Sequence, residues 1–336
     1  MELAVKLCQT YGPAGREDRV REVIRSEVEQ RSTSIFTDRL GNLICHIQAP
    51  ERSPGVKNDS LMICAHMDEI GVIITYIDEN GFLRFTGVGG VRNAILHQKV
   101  IFENGVIGTI GAETKPQTPK ELTLIQMFVD IGASSKQEAM QKVRIGDIAA
   151  FHQDPVIMEN RFVTKALDDR IGCFCCIEAL KRIRSPFLDT YFVFTVQEEI
   201  GLRGARTGAY ALAPTYALAV DVTMTGDTPE CARMDVALGR GVAIKVKDMM
   251  FIANPKINDR LTMLAENKGI PYQLEVLERG TTDAAVVQLV REGVMSGVLS
   301  IPIRYLHSVS EMCDTRDVQA TIDLLVQVCE QGLAMP

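Results

Sequence analysis

The chain has 336 residues, 46% of them hydrophobic, and a formal net charge of −7. That length suits two domains of unequal size, and the acid excess argues against a phosphate-binding surface and so against a nucleic-acid partner. No stretch is long and apolar enough to span a bilayer, and Met1–Tyr11 is too short and polar for a secretory leader, so a soluble cytoplasmic protein with no membrane partner is expected. Nine cysteines make no paired Cys-x-x-Cys array, which excludes a zinc ribbon. Cys173, Cys175 and Cys176 lie in the apolar run IGCFCCIEAL and read as small buried hydrophobes.

Residues 15–30 (GREDRVREVIRSEVEQ) place Val20, Val23, Ile24 and Val28 on one face, the spacing of an amphipathic helix. Strand-like sequence runs to His46 with a turn at Gly41-Asn42, and RSPGVKNDS (52–60) is a loop. LMICA (61–65) is a short apolar run of the kind that forms a buried parallel strand. Residues 70–162 change character: GVIITYI, FLRFTGV, VIFENGVIGTI and DIAAFHQ alternate with turn signals, and only SSKQEAMQKV is helix-like. This stretch is expected to be a small β-rich domain inserted into a discontinuous one of residues 1–69 and 163–336. The remainder alternates: helix 168–184, strand 191–196, helix 204–212, strands 216–220 and 242–246, helix 256–268, strand 273–277, helix 283–291, strand 294–301, and a last helix from 315. Such alternation predicts an α/β fold, a doubly wound, largely parallel sheet with helices on both faces.

Ligands of open α/β sheets gather at the carboxyl ends of strands. His66, Asp68 and Glu69 follow the strand at 61–65, Glu198 and Glu199 follow 191–196, Asp221 follows 216–220, His307 comes shortly after 301, and Asp168 opens a helix. Zinc and cobalt accept imidazole nitrogen and carboxylate oxygen. Two dications about 3.5–4 Å apart need a bridging anion, which one carboxylate supplies. Two histidines and three carboxylates balance two such ions. His66 and Asp68 stand two apart on extended chain and face one side, so Asp68 is placed to accept the free N–H of His66. Glu198 and Glu199 are neighbours and point apart, one suited to bind metal and the other to handle protons. Taken singly, Asp168 also reads as a helix N-cap, His66 as a hydrogen-bonded core histidine, and the strand-end carboxylates as surface groups. Nothing pairs His46, His97 and His152 with a site, and they read as structural or surface residues. Several strand ends all carrying ligand types is what points to a metal centre.

HMDEIG (66–71), KALDDRIGC (165–173), QEEIGLRGA (197–205), AVDVTMTGDTPE (219–230) and HSVSE (307–311) resemble the tetrahedral dinuclear metal aminopeptidases, in order and over nearly the whole chain. That family includes glutamyl and deblocking aminopeptidases and some members labelled endoglucanase. The resemblance implies two divalent ions, zinc or cobalt, with His66 and Asp221 on one, Glu199 and His307 on the other, and Asp168 bridging. It makes Glu198 the general base and acid, Asp68 the orienting carboxylate, and Thr282 and Asp283 substrate-binding residues. It further implies peptide substrates with a free N-terminus, an insert that builds the oligomer, and dimers assembling into a hollow tetrahedral dodecamer. One departure is visible: the family's Gly-Gly-Thr-Asp-Ala is Gly280-Thr281-Thr282-Asp283-Ala284. A side chain in place of the second glycine bears on the local turn and so on side-chain preference.

Two other functions compete. An endo-β-glucanase needs two acidic groups flanking a sugar bond and no metal pair, whereas two histidines accompany the carboxylates in this chain. A non-catalytic assembly subunit on the same scaffold would be expected to have lost Glu198 or a ligand, and all are present.

Overall fold

The computed structural model describes residues 1–50, 59–113, 122–231 and 233–333; most of the loop expected at 52–60 lies outside them. Strand Ser60–His66 runs through the middle of a large sheet, and every residue in it is buried. Alternation across the strand sends its side chains into two cores. Leu61, Ile63 and Ala65 pack with helices Glu2–Gln9, Asp18–Val28, Leu167–Arg182, Pro255–Lys268 and Thr315–Gln331. Met62 and Cys64 pack on the other face with helices Arg203–Leu212 and Ala284–Val287. Two covered faces explain why LMICA is apolar throughout rather than alternating.

The parallel part of the sheet is its centre, in the order Asp189–Thr195, Ser60–His66, Tyr216–Thr223, Met295–Arg304. The strands bordering this centre join it antiparallel. Leu43–Ile47 joins Asp189–Thr195 on one side, with Ser34–Thr37 outside it. On the other side Met295–Arg304 pairs with Glu311–Asp314 and with Val242–Lys247, and the latter carries Tyr272–Val276 parallel to itself. The sheet is therefore mixed, with helices on both faces. Parallel neighbours need a long crossover between them, whereas short connections such as that between Met295–Arg304 and Glu311–Asp314 allow antiparallel pairing.

Six antiparallel strands close into a separate barrel in the order Gly71–Ile77, Leu83–Val88, Met127–Asp130, Ile107–Ala112, Lys99–Phe102, Ile148–Phe151. Its core holds Val72, Ile74, Phe85, Val100, Ile110 and Val129. The helix-like SSKQEAMQKV becomes helix Lys136–Lys142, capped by the Ser135 hydroxyl accepting from the Glu138 N–H. The last part of the expected insert behaves differently: Val156–Met158 pairs with Arg161–Thr164, which pairs with Glu311–Asp314 of the large sheet.

One helix is unforeseen and one is shorter than expected. Glu2–Gln9 is helical and buries Leu7 and Cys8. The helix expected at 283–291 ends at Val287. Beyond it Leu289 and Val290 bond three residues back, and Arg291 adopts φ +54°, a tightening and reversal that ends a helix. Among the remaining histidines, His46 stacks on Tyr191 with ring centroids 4.5 Å apart.

Candidate metal centre

The carboxyl ends of the central strands bring His66, Asp168, Glu199, Asp221 and His307 together. His66 Nε2 lies 2.9 Å from Asp168 Oδ1 and 3.9 Å from Asp221 Oδ1. His307 Nε2 lies 3.1 Å from Asp168 Oδ2 and 3.3 Å from Glu199 Oε1. Two triads result, His66–Asp168–Asp221 and Asp168–Glu199–His307, each with its ligand atoms within 4.8 Å of one another. Asp168 belongs to both and turns one oxygen to each histidine. Glu198 Oε2 sits 4.0 Å from His66 Nε2, so the adjacent glutamates face different halves of the centre.

The supporting bonds explain how this acidic cluster is held. The Asp68 carboxylate accepts the backbone N–H groups of Glu198 (2.9 Å) and Glu199 (3.1 Å) and lies 3.5 Å from His66 Nδ1. The Asp68 carbonyl is nearer to His66 Nδ1, at 3.1 Å, so Asp68 positions the histidine through its backbone more closely than through the expected carboxylate, and both glutamates through the carboxylate. Asp168 is not the helix cap: its two carboxylate oxygens face His66 and His307, and Asp169 Oδ1 accepts the Gly172 N–H at 3.1 Å instead. Sequence reading missed Glu311, whose two oxygens accept the N–H of Asp168 (3.0 Å) and of His307 (2.8 Å). It lies inside the HSVSE motif, yet it acts through backbone groups, which leave no side-chain pattern to read. His307 has φ +59°, uncommon away from glycine, and the Glu311 bond holds it there. A buried network of Glu69, Lys165 and Arg170, also unforeseen, lies beneath. Arg170 donates to the carbonyls of Leu7, Thr10, Gly12 and Met67, tying the first helix to the chain that follows His66.

Electrostatics test whether these residues fit metal ions. Burial holds Glu198 and Asp221 well above the usual carboxylate range and raises Glu199. Burial opposes a charged imidazole, yet the Asp168 and Glu199 carboxylates lift His307 to about 11. Buried Glu199 Oε1 has no hydrogen-bonded donor. A buried cluster richer in carboxylates than in cations, with an orphaned oxygen and two imidazoles, is a donor set that divalent ions complete.

The same shifts predict a pH dependence for chelated protein. Burial, then the Asp168 charge, raises Glu311 from 4.5 to about 8, and His307 rises from 6.5 to about 11. Both are raised in the folded state, so folding takes up protons. That stabilisation is complete below the unfolded values and is lost as pH climbs through the folded ones. Asp168, which burial alone would raise, is held low by His307 and His66 and stays ionised throughout. The melting temperature of chelated protein should therefore fall between about pH 6 and about pH 9, and fall less with zinc bound, because cations replace those protons. A flat or rising trend in chelated protein would refute this account.

A cavity of about 430 Å³ opens over the cluster, walled in part by Leu202, Met250, Leu277, Arg279, Thr281 and Thr282. Asp283 lies behind that wall, buried, and accepts the Thr195 hydroxyl at 2.6 Å. The turn at 280–281 needs a glycine only at Gly280, with φ +91°. Thr281 takes no positive φ, and its hydroxyl donates to Asp248 Oδ1 at 3.2 Å.

Strand-end histidines and carboxylates that share one aspartate beneath an open cavity place this molecule among the α/β metal-dependent hydrolases. The family model of the M42 glutamyl aminopeptidases matches residues 41–324, and the chain belongs to that family. The lysyl aminopeptidase of Pyrococcus furiosus is 37% identical over 345 residues, covering 98% of this chain and 96% of its own. An aminopeptidase from Desulfurococcus kamchatkensis superposes with TM-score 0.93 at 38% identity, covering 98% and 94%. The TET1 peptidase of Pyrococcus horikoshii, which assembles into a tetrahedron or a large octahedral shell, gives TM-score 0.87 at 32% identity, covering 98% and 99%. A Thermotoga maritima structure titled endoglucanase gives 0.82 at 34%, covering 98% and 97%. The protein is thus an aminopeptidase of a metal-dependent family. The glucanase and assembly-subunit readings give way to it. No helix among the described residues is long and apolar enough to cross a membrane.

Proposed function

We propose that this aminopeptidase holds two divalent ions, zinc or cobalt, and removes N-terminal residues from peptides with a free α-amine. The observation that carries the reading is Asp168, which turns one carboxylate oxygen to each of two histidines. His66 and Asp221 complete one half-site, Glu199 and His307 the other. Bound there, the ion pair would acidify water and polarise the scissile carbonyl.

The chain's own residues supply the rest. Glu198 adjoins the His66 half and has its affinity for a proton raised by burial. It takes the proton of the attacking water and returns it to the leaving amine. Asp68 fixes Glu198 and Glu199 through their N–H groups, so base and ligand keep one geometry during turnover. The acidic floor of the cavity receives the substrate's α-ammonium. Leu202, Met250, Leu277 and the Thr282 segment enclose its first side chain.

The reading extends to assembly and compartment. The barrel, within the insert at 70–162, is the dimerisation and oligomerisation element, and dimers assemble into a tetrahedral dodecamer. Tyr76, Ile107, Ile125, Met140 and Ile145 support this, because all are exposed on the insert and Ile125 is 82% exposed. The nine cysteines are all free, which suits a reducing cytoplasm.

The test is a panel of aminoacyl-p-nitroanilides with N-acetylated controls, run as purified, after chelation, and after adding back zinc or cobalt. Cleavage of free amines only, abolished by chelator and restored by metal, is the expected result. Cleavage that survives complete metal removal would reject the mechanism.

A further inference from the structure

The inserted barrel reaches into one half of the metal centre. Strand Leu83–Val88 leads into Gly89-Gly90, and Gly90 borders the site cavity. The Gly90 carbonyl lies 3.1 Å from His307 Nδ1, while the other ring nitrogen faces Asp168 and Glu199. The Gly90 N–H donates to Glu199 Oε2 at 3.4 Å. Both residues that would share an ion with Asp168 in this half are thus bonded to one barrel glycine.

The approach tolerates no side chain. A β-carbon on Gly90 would stand 2.4 Å from His307 Nδ1, and one on Gly89 would stand 2.8 Å from Glu199 Oε2. An independent contact clamps the same loop: Val309, two residues beyond His307, packs with Ile70 against the barrel core. The other half-site differs. His66 Nδ1 faces the Asp68 carbonyl at 3.1 Å, and Asp221 lies in strand Tyr216–Thr223, so the large domain builds that half.

We propose that Gly89, Gly90 and Val309 are positioning residues that make the barrel a structural part of the Glu199–His307 half-site, so that the seating of the barrel sets how tightly that half holds its ion. The reason is the chemistry of imidazole. An acceptor on one ring nitrogen fixes the tautomer and the ring plane, leaving the opposite lone pair aimed at the metal. Gly90 O is that acceptor for His307. A displaced barrel removes it, and with it the N–H that orients Glu199. The inference rests on the two-ion reading and adds to it that the two ions depend on different domains.

The experiment titrates chelated full-length protein with zinc, and with cobalt followed by visible absorption, for wild type, Gly90→Ala and Val309→Ala. Gly90 has no positive φ, so alanine there adds a β-carbon without backbone strain. Wild type should take up two equivalents. Gly90→Ala should keep one tight equivalent and bind the second about 10–100-fold more weakly, the range for loss of a ligand's supporting bond. Val309→Ala, which leaves Gly90 intact, should weaken the same equivalent, and it decides the matter alone if Gly90→Ala does not fold. Two equivalents at wild-type affinity in a folded variant, or equal weakening of both, would overturn the proposal. Fewer than two equivalents in wild type would instead reject the two-ion reading beneath it.

Discussion

Glu198→Gln should retain both metal equivalents and lose about 10²–10⁴-fold in kcat, the range for removal of a general acid–base. Glutamine keeps the length and volume of glutamate and leaves intact the bond from the Glu198 N–H to Asp68, at 2.9 Å. What disappears is a buried carboxylate whose environment strengthens its hold on a proton. The amide neither accepts the proton of the attacking water nor returns one to the leaving amine. KM should change little, because no ligand is lost. Removing one acid from a buried acidic cluster should leave the melting temperature unchanged or raise it. The measurement is kcat alongside metal content by mass spectrometry. Turnover within about tenfold of wild type would take Glu198 out of its role, and loss of metal would make it a ligand instead.

Asp168→Asn is expected to be more damaging, and in a different way. The aspartate places Oδ1 on His66 and Oδ2 on His307, at 2.9 and 3.1 Å. Asparagine has one oxygen and no charge, so whichever histidine meets the amide nitrogen faces a donor where an acceptor stood. The neutralising charge between two cations is also gone. Metal content should fall from two equivalents to one or fewer, and activity should drop at least about 10³-fold, or about 4 kcal/mol in transition-state stabilisation. Excess zinc should not restore it. Full occupancy in the purified variant would remove Asp168 from the bridge. The two substitutions are thus separable: one spares metal and removes proton transfer, the other removes the metal.

Much of the site was legible because each candidate sits where a sheet ends. LMICA runs into His66, YFVFTV into Glu198 and Glu199, and YALAV into Asp221, and the structure brings these ends to one place. Most of what stayed illegible acts through backbone. Glu311 holds Asp168 and His307 by their N–H groups, and Gly90 meets His307 through its carbonyl, 217 positions away in sequence. A glycine that matters because nothing occupies its β-carbon position leaves the same mark as a glycine in any turn.

Most helices and strands of the large sheet, the β-rich stretch that interrupts the α/β chain, and the residue types at the strand ends are written in local sequence. Periodicity and ligand chemistry are local properties, readable within a few residues. Folding in three dimensions is what makes Asp168 common to two triads, makes Asp169 rather than Asp168 the helix cap, sets the strands bordering the sheet's centre antiparallel to it, and closes the barrel against His307. These depend on contacts between residues far apart in the chain. Burial and packing select them over the many local alternatives that the same residues allow on their own.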